Sequence, residues 1–331
     1  MASHGVGQVS RMPLPAWGDR AKYSDLVVSD LLQFASDATF RGFLAELGGR
    51  SLPQDNHEVL AISSELAGLH DLRRGTERDG IVVSESISIP RFLDAFGERL
   101  GMYEDHLPEL EHYDHLLILG GTATSNRLRV AWALKLLASV VSAGSITLLG
   151  TSRPLSDRER ELERTHWREP HANEYAVLCE MLENHAAVAK VNEKITGTGR
   201  SLQAITEWRS TKYGSIQSLC APSSQPSERR ANTGDCLSTW ARITNPKENE
   251  RILLVTTSIY ASYQHFTAVR ELGLPFQCSI FTIGNTFNSD VNITYHAGNY
   301  LQEAFANCDS AWQLLKAALQ ENPLSARERD T

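Results

Sequence analysis

The segment Gly120-Gly121-Thr122-Ala123-Thr124-Ser125-Asn126-Arg127 follows the apolar run HLLIL and leads straight into an amphipathic stretch. A strand end, two glycines and a helix start bring backbone N–H groups and the positive end of a helix dipole to one place, where an anion is favoured. Thr122, Thr124, Ser125 and Asn126 would add neutral donors, and Arg127 a bidentate grip on phosphate or carboxylate. The same residues would also make a tight βα turn with a polar cap and a solvated arginine, because the pattern is neither GxGxxG nor a Walker A loop. A second polar turn, Gly150-Thr151-Ser152-Arg153-Pro154, ends the next apolar run, and Arg153 could meet the same anion. A third, Val255-Thr256-Thr257-Ser258-Ile259-Tyr260, is followed by Tyr263, Gln264 and His265. His265 is the general-base candidate, since a free imidazole titrates near ~6.5. Its alternative role is that of a helix histidine bonded to a backbone carbonyl. Asn232-Thr233-Gly234-Asp235 and Glu174 stand at helix starts, where they could serve a ligand or act only as caps.

Bringing such loops together requires a parallel sheet, whose carboxyl edge gathers the turns that follow its strands. HLLILGG, SITLLGTS, ERILLVTTS and FQCSIFTIG are the clearest strands, separated by amphipathic stretches of the length that βαβ units need. A helix is expected over 126–141, another part-helical stretch around 174–182, a polar loop over 223–230, and a final helix over 304–319. Apolar residues at helical spacing, among them Leu26, Leu31, Phe34, Phe43, Val59, Leu60 and Leu66, mark a helical part before the sheet, and Pro90 a further helix start. The expected fold class is α/β: a Rossmann-like, open, mostly parallel sheet with flanking helices and an N-terminal helical extension. The expected division is a flexible arm over 1–22, a helical part over 23–110, the Rossmann-like domain over 111–320 and a tail over 321–331.

The chain of 331 residues carries a net charge of -8 with 32 basic residues scattered rather than striped, so no nucleic-acid partner is expected. No run approaches the roughly 20 apolar residues of a membrane span, and the start lacks an apolar leader core, which points to a cytoplasmic protein with no membrane partner. Cys179, Cys220, Cys236, Cys278 and Cys308 lie far apart, without a Cys-x-x-Cys pair, and read mostly as buried apolar fillers. His112 and His115 have metal-compatible spacing, but they read better as a solvated approach to a strand, and no metal site is expected. GxSxG, HExxH and kinase signatures do not occur in the sequence.

The order LLILGG, NRLRVAWAL, a glycine-ended strand, HANEYAVL, RRANTGDCL and RILLVTTSIYASYQHFTAVREL resembles the SanA/ElyC/YdcF-like family of Rossmann-like proteins over roughly 190 residues. The resemblance implies one pocket lined by Gly120 and Gly121, Arg127 or Arg129, Glu174, Asn232 and Thr233, and Val255 to Thr257. Where many members place a His and then an Arg, this chain has Tyr260 and Tyr263, followed by Gln264 and His265. The first 110 residues lie outside the shared region, and the short anchor of envelope-associated members is missing from it. Some members are thought to bind nucleotide-like molecules such as S-adenosylmethionine.

Hydroxyl-rich loops and two candidate phosphate-gripping arginines fit a nucleotide diphosphate, so the expectation is a transferase using a nucleotide-activated donor, most plausibly a nucleotide sugar, and a small-molecule acceptor. The diphosphate would be held at Gly120 to Arg127 and the neighbouring loops, with His265 or Glu174 deprotonating the acceptor. No separate cofactor is firmly implied, and a homodimer is compatible with this reading. The alternatives are an enzyme that uses S-adenosylmethionine and a nucleotide-binding regulatory module without turnover.

Overall fold

Along β1 (His112–Leu119) side chains alternate between two apolar layers, Leu116 and Ile118 entering one and Leu117 and Leu119 the other. All four are buried, as in a strand covered on both faces inside a parallel sheet. A computed structural model, which describes residues 14–70, 91–166, 171–185, 188–287 and 295–321, places β1 within such a sheet. Strands β2 (Ser142–Thr151), β5 (Gly214–Ala221), β6 (Arg251–Thr257) and β7 (Ser279–Asn285) run parallel with it. Beyond β5, β4 (Gln203–Ser210) and β3 (Val188–Thr196) pair antiparallel, which gives the order β3-β4-β5-β2-β1-β6-β7. The protein is therefore α/β, with a Rossmann-like open, mostly parallel sheet.

The four strongest apolar runs became β1, β2, β6 and β7. The strands between 188 and 221 were not read from the sequence, because VAKVNEKIT, QAITEWRS and GSIQSLCA interrupt their apolar residues with charged or polar ones instead of forming a continuous apolar run. Strand β4 shows the reason in its burial: Ala204, Thr206, Trp208 and Ser210 point inward while the residues between them are half-buried or exposed. That period of two belongs to an antiparallel strand with one wet face.

Helices α5 (Ala123–Ser139) and α7 (Glu174–His185) cover the layer of Leu116 and Ile118, through Val130, Ala133, Val177 and Leu178. The opposite layer carries α8 (Thr233–Thr244), α9 (Ser258–Ala268) and α11 (Ala297–Glu321). Between α5 and α7 lies the charged α6 (Asp157–His166), and α9 runs on through a π turn, Val269–Gly273, into the short α10 (Leu274–Phe276).

The helical extension, α1 (Ser24–Ser36), α2 (Ala38–Gly48), α3 (Asn56–Leu69) and α4 (Leu93–Arg99), shares the core of the sheet. Phe34, Phe40, Phe43 and Phe96 pack together at ring separations of 4.7 to 5.4 Å, and Phe34 reaches Phe266 of α9 at 5.8 Å. The part of the expected arm that is described is packed: Leu14 and Ala16 are buried, and Gly18 exchanges backbone hydrogen bonds with Ile280 on β7. Residues 1–13 and 322–331 and Pro90 lie outside the described residues. Among those described, no helix is long and apolar enough to cross a membrane.

Candidate functional site

The parallel strands stand in the order β5-β2-β1-β6-β7, so the chain reverses its direction of winding at β1. Ligands of open α/β sheets bind at that switch point, outside the carboxyl ends of the strands. A cavity of about 410 Å³ opens there. Gly120, Gly121 and Thr122 reach it from β1, Thr151 and Arg153 from β2, and Glu174 from the first turn of α7. The far wall brings Asn232 and Thr233 at the start of α8 and Gln264 from α9. These nine residues, all singled out in the sequence, thus share one cavity.

Two carboxylates meet at Arg153, which is itself 9% exposed. Glu159 takes both ends of the guanidinium at 2.7 Å and also accepts from the backbone N–H of Ala123 at 2.9 Å and of Ser156 at 2.8 Å. Ser156 Oγ accepts from Glu159 N in return, a capping box that starts α6. Burial alone would raise the Glu159 carboxyl, but the hydrogen bonds and charge of Arg153 and the two backbone donors outweigh it and hold the pKa at about 2. The helix N-terminus that the sequence offered to a ligand anion is therefore occupied by a side chain of the protein.

Glu174 is placed differently. Its Oε2 accepts from Thr151 Oγ1 at 2.9 Å and lies 3.5 Å from Arg153 Nε, while Oε1 turns toward Gly120. Burial pushes this carboxyl above the usual range, and Arg153 and Thr151 compensate only in part. A protonatable group lining a cavity is what acid–base chemistry requires.

The glycine pair is explained by what lies over it. A Cβ on Gly120 would sit 2.0 Å from Glu174 Oε1 and 2.6 Å from Leu149 O, and one on Gly121 would sit 3.1 Å from Arg129 Nη1. Gly120 therefore admits the carboxylate and Gly121 the guanidinium to the backbone, in the space first assigned to the ligand. Arg129 is fully buried, and Nη1 donates to Leu119 O at 2.6 Å and Gly120 O at 2.7 Å.

At the far wall Asn232 caps α8, its side chain accepting from Asp235 N while Asp235 accepts from Asn232 N. Arg229 pairs with Asp235, whereas Arg230 on the same loop lines the cavity. Gln264 accepts from Thr256 Oγ1, and its amide faces Thr233 Oγ1 at 3.4 Å. Arg270, on the π turn, pairs with Glu271 and completes the rim with Tyr263, Thr267 and Asp309.

Several sequence-derived candidates lie elsewhere. His265 is fully buried under the N-terminal segment: Nε2 faces Pro15 O at 3.2 Å, Nδ1 faces Thr282 Oγ1 at 3.0 Å, and Trp17 lies 5.0 Å from the ring. It is the carbonyl-bonded helix histidine, and it is not among the residues that line the cavity. Arg127 leans outward along α5 to Met181 Sδ at 3.1 Å and Glu180 at 3.6 Å, because three residues of helix turn it away from the strand end. Asn126 is fully buried inside α5. Gly150 packs beneath Leu178 and Tyr175, and Ser152 donates to Gly199 O. Thr256, Thr257 and Ser258 are used up in bonds with Gln264, Arg129 and Glu104 O, and Tyr260 lies against Arg129. His112 and His115 bond to Ser142 and Ser145 across β1 and β2, at the other end of the sheet. Four of the five cysteines are buried, as fillers should be.

Sequence reasoning missed Glu159, Arg230 and Arg270 and left Arg129 as an alternative to Arg127. Spacing could have favoured Arg129, which lies six residues into α5 among its buried residues Ser125, Asn126 and Val130. The S-x-x-E start of α6 was also legible as a cap, though not its reach to Arg153.

No protein-family model matches the chain, and no solved structure matches it. Over 199 residues it is 30% identical to uncharacterized proteins of Mycobacterium bovis and Mycobacterium tuberculosis. The similarity covers 56% of this chain and 54% of each relative, so the chain spans about half the length of the curated relatives it matches.

Proposed function

We propose that the chain is a group transferase that binds a nucleotide-activated donor, a nucleotide sugar, in the switch-point cavity and passes the activated group to a small acceptor. The observation that carries this reading is one buried carboxyl of raised pKa, Glu174, in a polar cavity with arginines around it. Arg230 and Arg270, with the backbone of Gly121 and Thr122, would receive the diphosphate, in place of Arg127. As the acceptor oxygen attacks the activated carbon, its proton passes to Glu174, and the bond to the diphosphate breaks with its electron pair. Charge then gathers on the phosphate, where preorganised donors count most.

The meeting of Gly120, Gly121, Glu174, Asn232 and Thr233 in one cavity supports a kinship with the SanA/ElyC/YdcF-like proteins. This reading goes with a cytoplasmic protein whose partners are small molecules. Tyr263 and the carboxylates of Glu174 and Asp309, which line the same cavity, favour the second reading, a sulfonium such as S-adenosylmethionine.

Thermal-shift titration with nucleoside diphosphates, nucleotide sugars and S-adenosylmethionine tests these readings, since a ligand at about 100 times its Kd adds roughly 2.7 kcal/mol. Stabilisation by a nucleotide sugar, with release of nucleoside diphosphate when an acceptor is added, is expected. A shift with S-adenosylmethionine alone selects the second reading, and binding without any product selects a regulatory module.

A further inference from the structure

Three consecutive carbonyls at the end of β1, from Leu119 to Gly121, are held by guanidinium groups. Arg129 takes Leu119 O and Gly120 O through Nη1, and Arg153 Nη2 donates to Gly121 O at 3.0 Å. Arg129 is fixed in turn by Thr257 Oγ1, 3.0 Å from Nε, and by the Tyr260 ring, whose centroid is 5.6 Å from Cζ. In a trans peptide the C=O and the following N–H point in opposite directions. The described chain has no cis bond, so a Gly120 carbonyl drawn onto Arg129 turns the Gly121 N–H away from it. Gly121 and Thr122 line the cavity, and among the described residues no group accepts from either N–H.

A neutral donor could tie down the same carbonyls without the desolvation cost of a fully buried charge. A guanidinium under the cavity floor does something more, adding positive potential at the place where the N–H is aimed. We propose that Arg129 is a positioning residue, which holds the Leu119 and Gly120 carbonyls so that the Gly121 N–H, with the positive potential of the guanidinium behind it, meets a phosphate oxygen of the ligand. This rests on the donor reading above and assigns the phosphate end of the donor to the β1 loop.

Calorimetric titration of the full chain with adenosine, guanosine, cytidine and uridine diphosphates, and with the matching uncharged nucleosides, tests it. Arg129→Lys keeps the charge but cannot hold two carbonyls and Thr257 at once, so diphosphate affinity is expected to fall about tenfold or more. Thr257→Val removes only the acceptor of Nε, outside the cavity, and is expected to weaken the diphosphate about threefold. Nucleoside affinity is expected to stay unchanged in both variants, which general damage to the fold would not allow. If Arg129→Lys does not fold, Thr257→Val carries the test alone. Equal losses for nucleoside and diphosphate, or no loss for either, overturn the role of Arg129 and leave the donor reading standing. A wild-type chain that binds none of the diphosphates overturns the donor reading and this role together.

Discussion

The first turns of α6 and α7 each bring a glutamate to Arg153, and the two carboxylates end in opposite states. Glu159 is met by a bidentate guanidinium and two backbone N–H groups, and its pKa falls to about 2. Glu174, the more deeply buried of the two, has one threonine hydroxyl and the more distant Nε, and burial raises it. A shared cation does not by itself set the ionisation of its neighbours; the depth of burial and the number of donors each one receives do. A fixed anion beside a protonatable acid is how such sites divide structural work from proton transfer.

The largest effect should come from removing what the two share. Arg153→Met leaves Glu159 buried without its cation, and urea unfolding at neutral pH should show a loss of about 3–5 kcal/mol. A loss comparable to that of an exposed pair, under ~1 kcal/mol, would mean that Glu159 is solvated and the contrast false.

Next is Glu174→Gln, which should lower turnover by roughly 100-fold or more, the scale of general-base loss. The same variant should melt at a higher temperature near neutral pH. A carboxyl raised in the folded state costs stability once the pH exceeds its unfolded value, and an amide carries no such cost. Lower stability with full activity would make Glu174 a structural residue.

Glu159 should give the opposite pH dependence. Its folded pKa lies below the ordinary 4.5, so its contribution is complete above that value and is lost as the pH falls toward about 2. The stability gap between the wild type and Glu159→Gln should therefore narrow as denaturation is repeated at more acid pH. A gap constant across that window contradicts the assignment.

The smallest effects sharpen the comparison from outside the site. His265→Ala should cost about 1–3 kcal/mol of stability for its two buried partners yet leave diphosphate affinity unchanged. Arg127→Lys should change both stability and diphosphate affinity by less than ~1 kcal/mol, since its pair with Glu180 is near the surface. Loss of binding in either variant would move the site toward the residues that the sequence favoured.

Those two residues show where sequence reading ran out. Strands β1, β2, β6 and β7 and the meeting of the β1 and β2 loops at one sheet edge were legible, because continuous apolar runs and glycine-ended strands depend on local pattern. Glu174, Asn232 and Thr233 were legible as helix starts, and the resemblance alone put them in one pocket. The direction of a side chain on a helix was not: Arg127 and Arg129 are two residues apart, which on a helix turns one outward and the other under the loop. Nor was the environment of His265, since Pro15 and Trp17, which enclose it, lie some 250 residues away in sequence. Glu159 was hidden only in part: Arg153 and Ser156 lie six and three residues before it, but Ala123, whose N–H it also accepts, lies 36 residues away.

The most direct test of Glu174 as the working acid–base group of a diphosphate site is the proton uptake that accompanies binding. Calorimetry of nucleoside diphosphate binding, repeated in buffers of different ionisation enthalpy at a pH where the free carboxyl is largely ionised, measures it. A bound diphosphate should raise the Glu174 carboxyl further, so the expected result is net proton uptake by the wild type that disappears in Glu174→Gln. Binding without uptake, or uptake that persists in the variant, would contradict that assignment.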